Sequence, residues 1–101
     1  MSTDPAVFPY FHMLGITMAS IANNHSHDCG TELFDGSLDK FLTGGIIPFG
    51  YDHIALREVR GNRYAFIGID TIDAHLDLDS LKNTIQSLAA SGSLVIINIH
   101  W

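Results

Sequence analysis

The sequence contains one cysteine, three prolines and five basic residues in 101 positions. A single thiol, Cys29, closes no internal disulfide and builds no metal-thiolate cluster, so stapled secreted scaffolds are excluded and the redox compartment stays open. Five basic residues stand against eleven acidic ones, a formal charge of −6. No positive surface is available to neutralise nucleic-acid phosphates or anionic lipid, and nucleic acid is not an expected partner. A phosphate handled by such a chain needs a bound cation to draw it in. Long apolar runs are missing as well. The stretch Leu94 to Ile97 is among the longest, far short of the roughly 18 residues of a membrane helix. The opening Met-Ser-Thr-Asp-Pro lacks the basic patch and apolar region of an export signal. The expectation is a chain without signal peptide or span of its own, either resident inside the cell or separated from a signal carried upstream.

What is present suits a packed core. Hydrophobic residues make up 47% of the chain and charged ones 16%, a balance far from that of disorder. The length matches one domain, since single units run to about 100–200 residues. No repeat, low-complexity tract or linker divides residues 1–101.

Periodicity predicts the elements. Val7 to Leu14 reads as a short helix interrupted by Pro9 and stopped at Gly15, and Ile16 to Ala22 as a buried strand. After the polar cluster Asn23 to Asp28, helical spacing puts Leu33, Phe34, Leu38, Phe41 and Leu42 on one face, with Gly44-Gly45 as the stop. Ile46-Ile47 is a very short strand ended by Pro48. Ile54 to Val59 and Arg63 to Ile69 form a hairpin about Gly61-Asn62, the second run being the more buried. Asp77 or Asp79 caps a helix with Leu78, Leu81, Ile85, Leu88 and Ala89 on its apolar stripe. The Ser91-Gly92-Ser93 turn leads into Leu94 to Ile97, read as a core strand. Phe34, Phe41 and Phe66 are core residues by periodicity. Strands alternating with helices indicate an α/β layer structure with parallel strands, whose ligands gather beyond the carboxyl ends.

Two polar clusters sit where such a fold assembles a site. Asn23-Asn24-His25 follows the first apolar strand, and His100-Trp101 follows the last. Parallel strands in one sheet bring both clusters to a shared edge, where two imidazoles and an amide oxygen converge.

The stretch Leu14 to Gly30, with its apolar strand, Asn-Asn-His, two residues, Asp and Gly, resembles the signature of the bacterial capsule synthesis protein CapA family, also called the poly-gamma-glutamate capsule biosynthesis family. The helix ending in Gly-Gly-Ile, the strand Gly-Asn-Arg-Tyr-Ala-Phe-Ile-Gly and the terminal Ile-His-Trp resemble that family in the same order, over nearly all 101 residues. The family is similar to the calcineurin-like metallophosphoesterases, which hold two divalent metal ions at the mouth of a β-sandwich flanked by helices. The resemblance implies a partial metallophosphoesterase-like fold of layered αββα type, incomplete at both ends. It implies Asn24 as the amide metal ligand, His25 as the catalytic histidine assisting the leaving group, His100 as the metal-binding histidine and Asp28 as a supporting acid. It also implies a cell-envelope or extracellular setting, and as partners an anionic capsular polymer or phosphoester substrate and membrane-bound synthase components.

That donor set is chemically coherent. Amide oxygen and imidazole nitrogen both ligate borderline divalent ions, paired ions activate water and clamp phosphoryl oxygens, and a histidine titrates near neutrality. The carboxylates that offset metal charge come, in the family, from an early aspartate strand and a Glu-bearing motif, neither of which is in this sequence. The downstream Gly-x-Glu after His-Trp is missing too, and the segment from Gly50 to Arg57 is shorter than in the family. The expectation is therefore the middle portion of a longer fold, weakly active or inactive alone. The other expectations are a non-catalytic capsule assembly or export component, and a fragment of an ordinary calcineurin-like phosphatase.

The remaining polar residues have plainer readings. Asn23 is a turn former, His27 an exposed loop residue and Cys29 a small loop or packing residue. The run Asp70, Asp73, His75, Asp77 and Asp79 lacks the glycine and Glu of a calcium loop and reads as solvated loop plus helix cap. Asp70 stands apart, because it ends a strand.

Overall fold

The computed structural model describes residues 4–23, 30–72 and 76–101, the side chains of 31–34 excepted. A single 3-10 turn at Pro5–Val7 leads into α1 (Phe8–Met13), followed by β1 (Met18–Ser20), α2 (Thr31–Thr43), β2 (Ile47–Phe49), β3 (Ala55–Val59), β4 (Asn62–Asp70), α3 (Leu78–Ala90) and β5 (Ser93–His100). The class is mixed α/β, as expected. β1 and β2 pair in parallel as a two-stranded sheet, while β3, β4 and β5 form a second sheet in that order. Within it β3 runs antiparallel to β4, and β4 parallel to β5.

The first core lies between α1, α2 and the β1–β2 pair. Phe8, Ile21, Leu38, Phe41 and Ile46 cluster there, the rings of Phe8 and Phe41 meeting edge-on at 5.5 Å. Burial of each such side chain contributes about 1.5–3 kcal/mol. The predicted stripe of α2 holds at Leu38 and Phe41, but Leu42 is 60% exposed; Leu33 and Phe34 are outside the described side chains. Pro9 does not interrupt α1. It sits in the first turn, where a missing N–H removes no helical bond.

Pro48 likewise does not end β2 but lies inside it, opposite Ala19. β1 is bonded through the Ile47 N–H to the Thr17 carbonyl and through the Ile21 N–H to the Phe49 carbonyl, so the position without an N–H costs the ladder nothing. The hairpin turn is Arg60-Gly61, not Gly61-Asn62. Both residues have positive φ, +53° and +80°, as a two-residue primed turn demands, and Asn62 already pairs with Val59.

The two sheets meet at Gly68. A Cβ there would lie 2.7 Å from Gly50 Cα, 2.9 Å from Ser20 Oγ and 3.2 Å from Ala22 Cβ, and on the same side of β4 Phe66 packs on Phe49 at 5.7 Å. Side chains alternate along a strand, so Ala65, Ile67 and Ile69, all buried, face the other way, toward α3. Asp77 caps α3 by accepting from the Ser80 N–H at 3.0 Å. Leu81, Ile85 and Leu88 are half-buried, whereas Leu78 is 68% exposed and Ala89 exposed, a narrower stripe than predicted.

β5 departs most from expectation. It is an edge strand, not a core strand, with Leu94, Ile96, Ile97 and Ile99 all at least 38% exposed. Among the described residues its only partner is β4, and β2 packs on β3 and β4 instead.

Candidate functional site at the strand ends

The first and last apolar strands do not share one parallel sheet as expected, since β1 pairs with β2 and β5 with β4 in a separate sheet, yet the ends of β1, β4 and β5 meet at one rim. β1 ends at Ser20, and Ile21 and Ala22 carry the chain inward to Asn23. β4 ends at Asp70 and β5 at His100, and these two are register partners on adjacent strands. Alternation then puts both side chains on the same face of the sheet. The Thr71 N–H donates to the His100 carbonyl at 3.0 Å, which fixes the two strand ends together.

Tyr51 ties β1 to this pair. It sits in the turn after β2 with a φ of +53°, a left-handed conformation uncommon for a residue with a side chain. Its N–H donates to the Gly68 carbonyl at 3.1 Å. Its hydroxyl donates to the Asn23 carbonyl at 2.7 Å and stands 3.4 Å from Asp70 Oδ2. A phenol has one proton, so the shorter contact holds it and Asp70 receives at most a share. None of Asn23, Tyr51 and His100 is without a partner.

Asp70 is the buried acid of the rim, 3% exposed. Among the described residues its carboxylate accepts one firm hydrogen bond, from the Ile72 N–H at 2.9 Å, and the long contact from Tyr51. Neither donor is a cation. A buried carboxylate ordinarily has a cation or a full set of donors to offset lost hydration. The solvated-loop reading therefore fails for Asp70, and its position at the strand end is what set it apart.

A cleft of about 420 Å³ opens beside Asp70, between α3 and the 51–54 turn, lined among others by Asp52, Asp77, Ser80 and Thr84. Among the described residues three aspartates and no Lys, Arg or His line it. Such a wall attracts cations and repels bare phosphate.

The sequence-predicted residues divide accordingly. His100 is half-buried at the end of β5. Asn24, His25 and Asp28 lie outside the described residues, as do His27 and Cys29. Asn23, directly before the Asn-His motif, is held to the end of β4 by Tyr51. Tyr51 was missed by sequence reasoning; its only signal is its place after Gly50 in a turn. Among the described residues no three His, Cys, Asp or Glu side chains gather closely enough to hold a metal ion; Asp70 and His100 supply two neighbours. No helix among the described residues is long and apolar enough to cross a membrane. Compared with known proteins, the chain matches no family model, no curated protein and no solved structure.

Proposed function

We propose that the chain is a portion of a CapA-type protein carrying a metallophosphoesterase-like half-site, which serves the synthesis or export of an anionic capsular polymer at the cell envelope. The observation that carries this reading is the convergence of Asn23, Asp70 and His100 on one rim through Tyr51. It holds Asn23, the residue that precedes the Asn24-His25 pair in sequence, at the end of β4, the strand that pairs with the strand ending in His100.

The residues fit a divalent cation. His100 offers imidazole nitrogen, Asn24 an amide oxygen, and the buried Asp70, which no cation contacts among the described residues, the negative charge that such an ion neutralises. When bound, the ions would polarise a phosphoryl group and supply an activated water. The chain's own residues have separate tasks. His25 donates a proton to the leaving oxygen, Asp28 is the supporting acid, and Tyr51 holds Asn23 in place. Net negative charge keeps polyanions away from the rest of the surface.

The test is metal content together with hydrolysis of bis-p-nitrophenyl phosphate by the complete protein containing these residues. Stoichiometric divalent metal and a rate abolished by His25→Ala support the reading, and a metal-free, inactive protein refutes it. The isolated chain is expected to hydrolyse weakly or not at all.

One observation favours a second reading, a non-catalytic assembly component. The exposed apolar edge of β5 suits strand addition by a synthase or export partner. Capsule formation that survives both His25→Ala and His100→Ala would select it.

A further inference from the structure

The motif residues leave the half-site without a ligating carboxylate, because the ligand acids that the resemblance calls for are not in this sequence. Asp70 is absent from the matched motifs, yet it is the most buried charged side chain described, 3% exposed, and it flanks His100 in register. Among the described residues Oδ1 is engaged by the Ile72 N–H at 2.9 Å, whereas Oδ2 has only the 3.4 Å contact of a hydroxyl whose proton is directed to Asn23 at 2.7 Å. The oxygen with spare lone pairs is therefore the one on the Tyr51 side, nearest the segment that leads into Asn24.

An ionised carboxylate is unfavourable in a buried place unless opposite charge compensates it, and among the described residues neither of its donors supplies any. The aspartates of the adjoining cleft add negative potential of their own. Among the described residues that line it there is no Lys or Arg.

We propose that Asp70 ligates a divalent cation through Oδ2 at the ends of β4 and β5, beside His100, with Tyr51 as the positioning residue that holds the carboxylate's neighbourhood and the Asn23 backbone in register. This inference rests on the reading that the rim takes a metal, and it adds a ligand from outside the family motifs. Carboxylate and imidazole donors together favour a transition-metal ion such as zinc or manganese over calcium, which takes oxygen ligands.

Isothermal titration with Mn²⁺ alone, on the whole chain and its variants, tests it. The unsubstituted protein binds, and Asp70→Asn weakens binding at least tenfold. Asp52→Asn, which removes an exposed carboxylate from the same cleft, stays within about twofold. Tyr51→Phe weakens binding about tenfold, in the range for groups that orient ligands, and alters the visible absorption of the Co²⁺-loaded protein, which a purely structural loss does not. Equal affinity in Asp70→Asn, with binding lost in His100→Ala, overturns the Asp70 assignment and leaves the metal reading standing. No binding by the folded, unsubstituted protein overturns both. If Asp70→Asn does not fold, the carboxyl ¹³C resonance of Asp70 in the unsubstituted protein decides. A shift on adding Zn²⁺ supports ligation, and an unmoved resonance at saturation overturns it.

Discussion

The Tyr51 hydroxyl reaches the Asn23 carbonyl at 2.7 Å, joining residues 28 positions apart in sequence. The bond converts two separate strand ends into one rim, because Tyr51 is itself anchored to β4 through Gly68. Removing the hydroxyl while keeping the ring isolates that bond. Tyr51→Phe is expected to lower unfolding free energy by about 0.5–1.5 kcal/mol, read as a lower urea midpoint at unchanged slope. Amide exchange at Asn23 should rise more than exchange in α3.

Gly68 is required by close approach. With Gly50 Cα 2.7 Å from the position of an added Cβ, and backbone unable to swing aside like a side chain, Gly68→Ala should cost about 1–3 kcal/mol. The thermal midpoint should fall, and the Phe49–Phe66 contact should loosen, which near-UV circular dichroism and aromatic NMR shifts will show. An unchanged midpoint would mean that the two sheets do not meet there.

The helix cap separates stability from the rim. Asp77→Ala removes the acceptor for the Ser80 N–H and should cost about 1 kcal/mol. Asp77→Asn, which still caps, should cost a few tenths at most. Cation affinity at the rim should be the same in both variants within about twofold.

How much was legible in the sequence depended on whether the deciding contact was local. The α2 stripe at Leu38 and Phe41, the Asp77 cap and the stop at Gly44-Gly45 follow from spacing and side-chain chemistry within a few residues, and they hold. His100 and the Asn-His motif stood out as polar groups directly after apolar strands. An apolar edge strand and an apolar core strand have the same composition, so β5 reads as core; only its neighbours distinguish them, and β4 is the sole one among the described residues. The turn at Arg60-Gly61 was displaced by one position because nothing in an arginine announces a φ of +53°. Tyr51 was illegible for the same reason and because both its partners, Asn23 and Asp70, are remote in sequence.

The β5 edge carries a consequence for solution behaviour. Eight residues, Ser93–His100, contain no Lys, Glu or Pro, the usual protection of a free edge. Ile97→Lys, at a position 38% exposed, should reduce concentration-dependent association in light scattering without lowering the unfolding midpoint by more than about 1 kcal/mol. Undiminished association would show that another surface is responsible.

The central claim is that the strand ends form one cation-binding rim, and paramagnetic broadening tests it most directly. Substoichiometric Mn²⁺ added to ¹⁵N-labelled protein should first broaden the amides of Asn23, Asp70, Thr71 and His100 together, leaving His12 on α1 and the exposed acids Asp35 and Asp39 on α2 sharp. Broadening that begins at α1 or α2, or that reaches His100 without Asn23, would contradict the account.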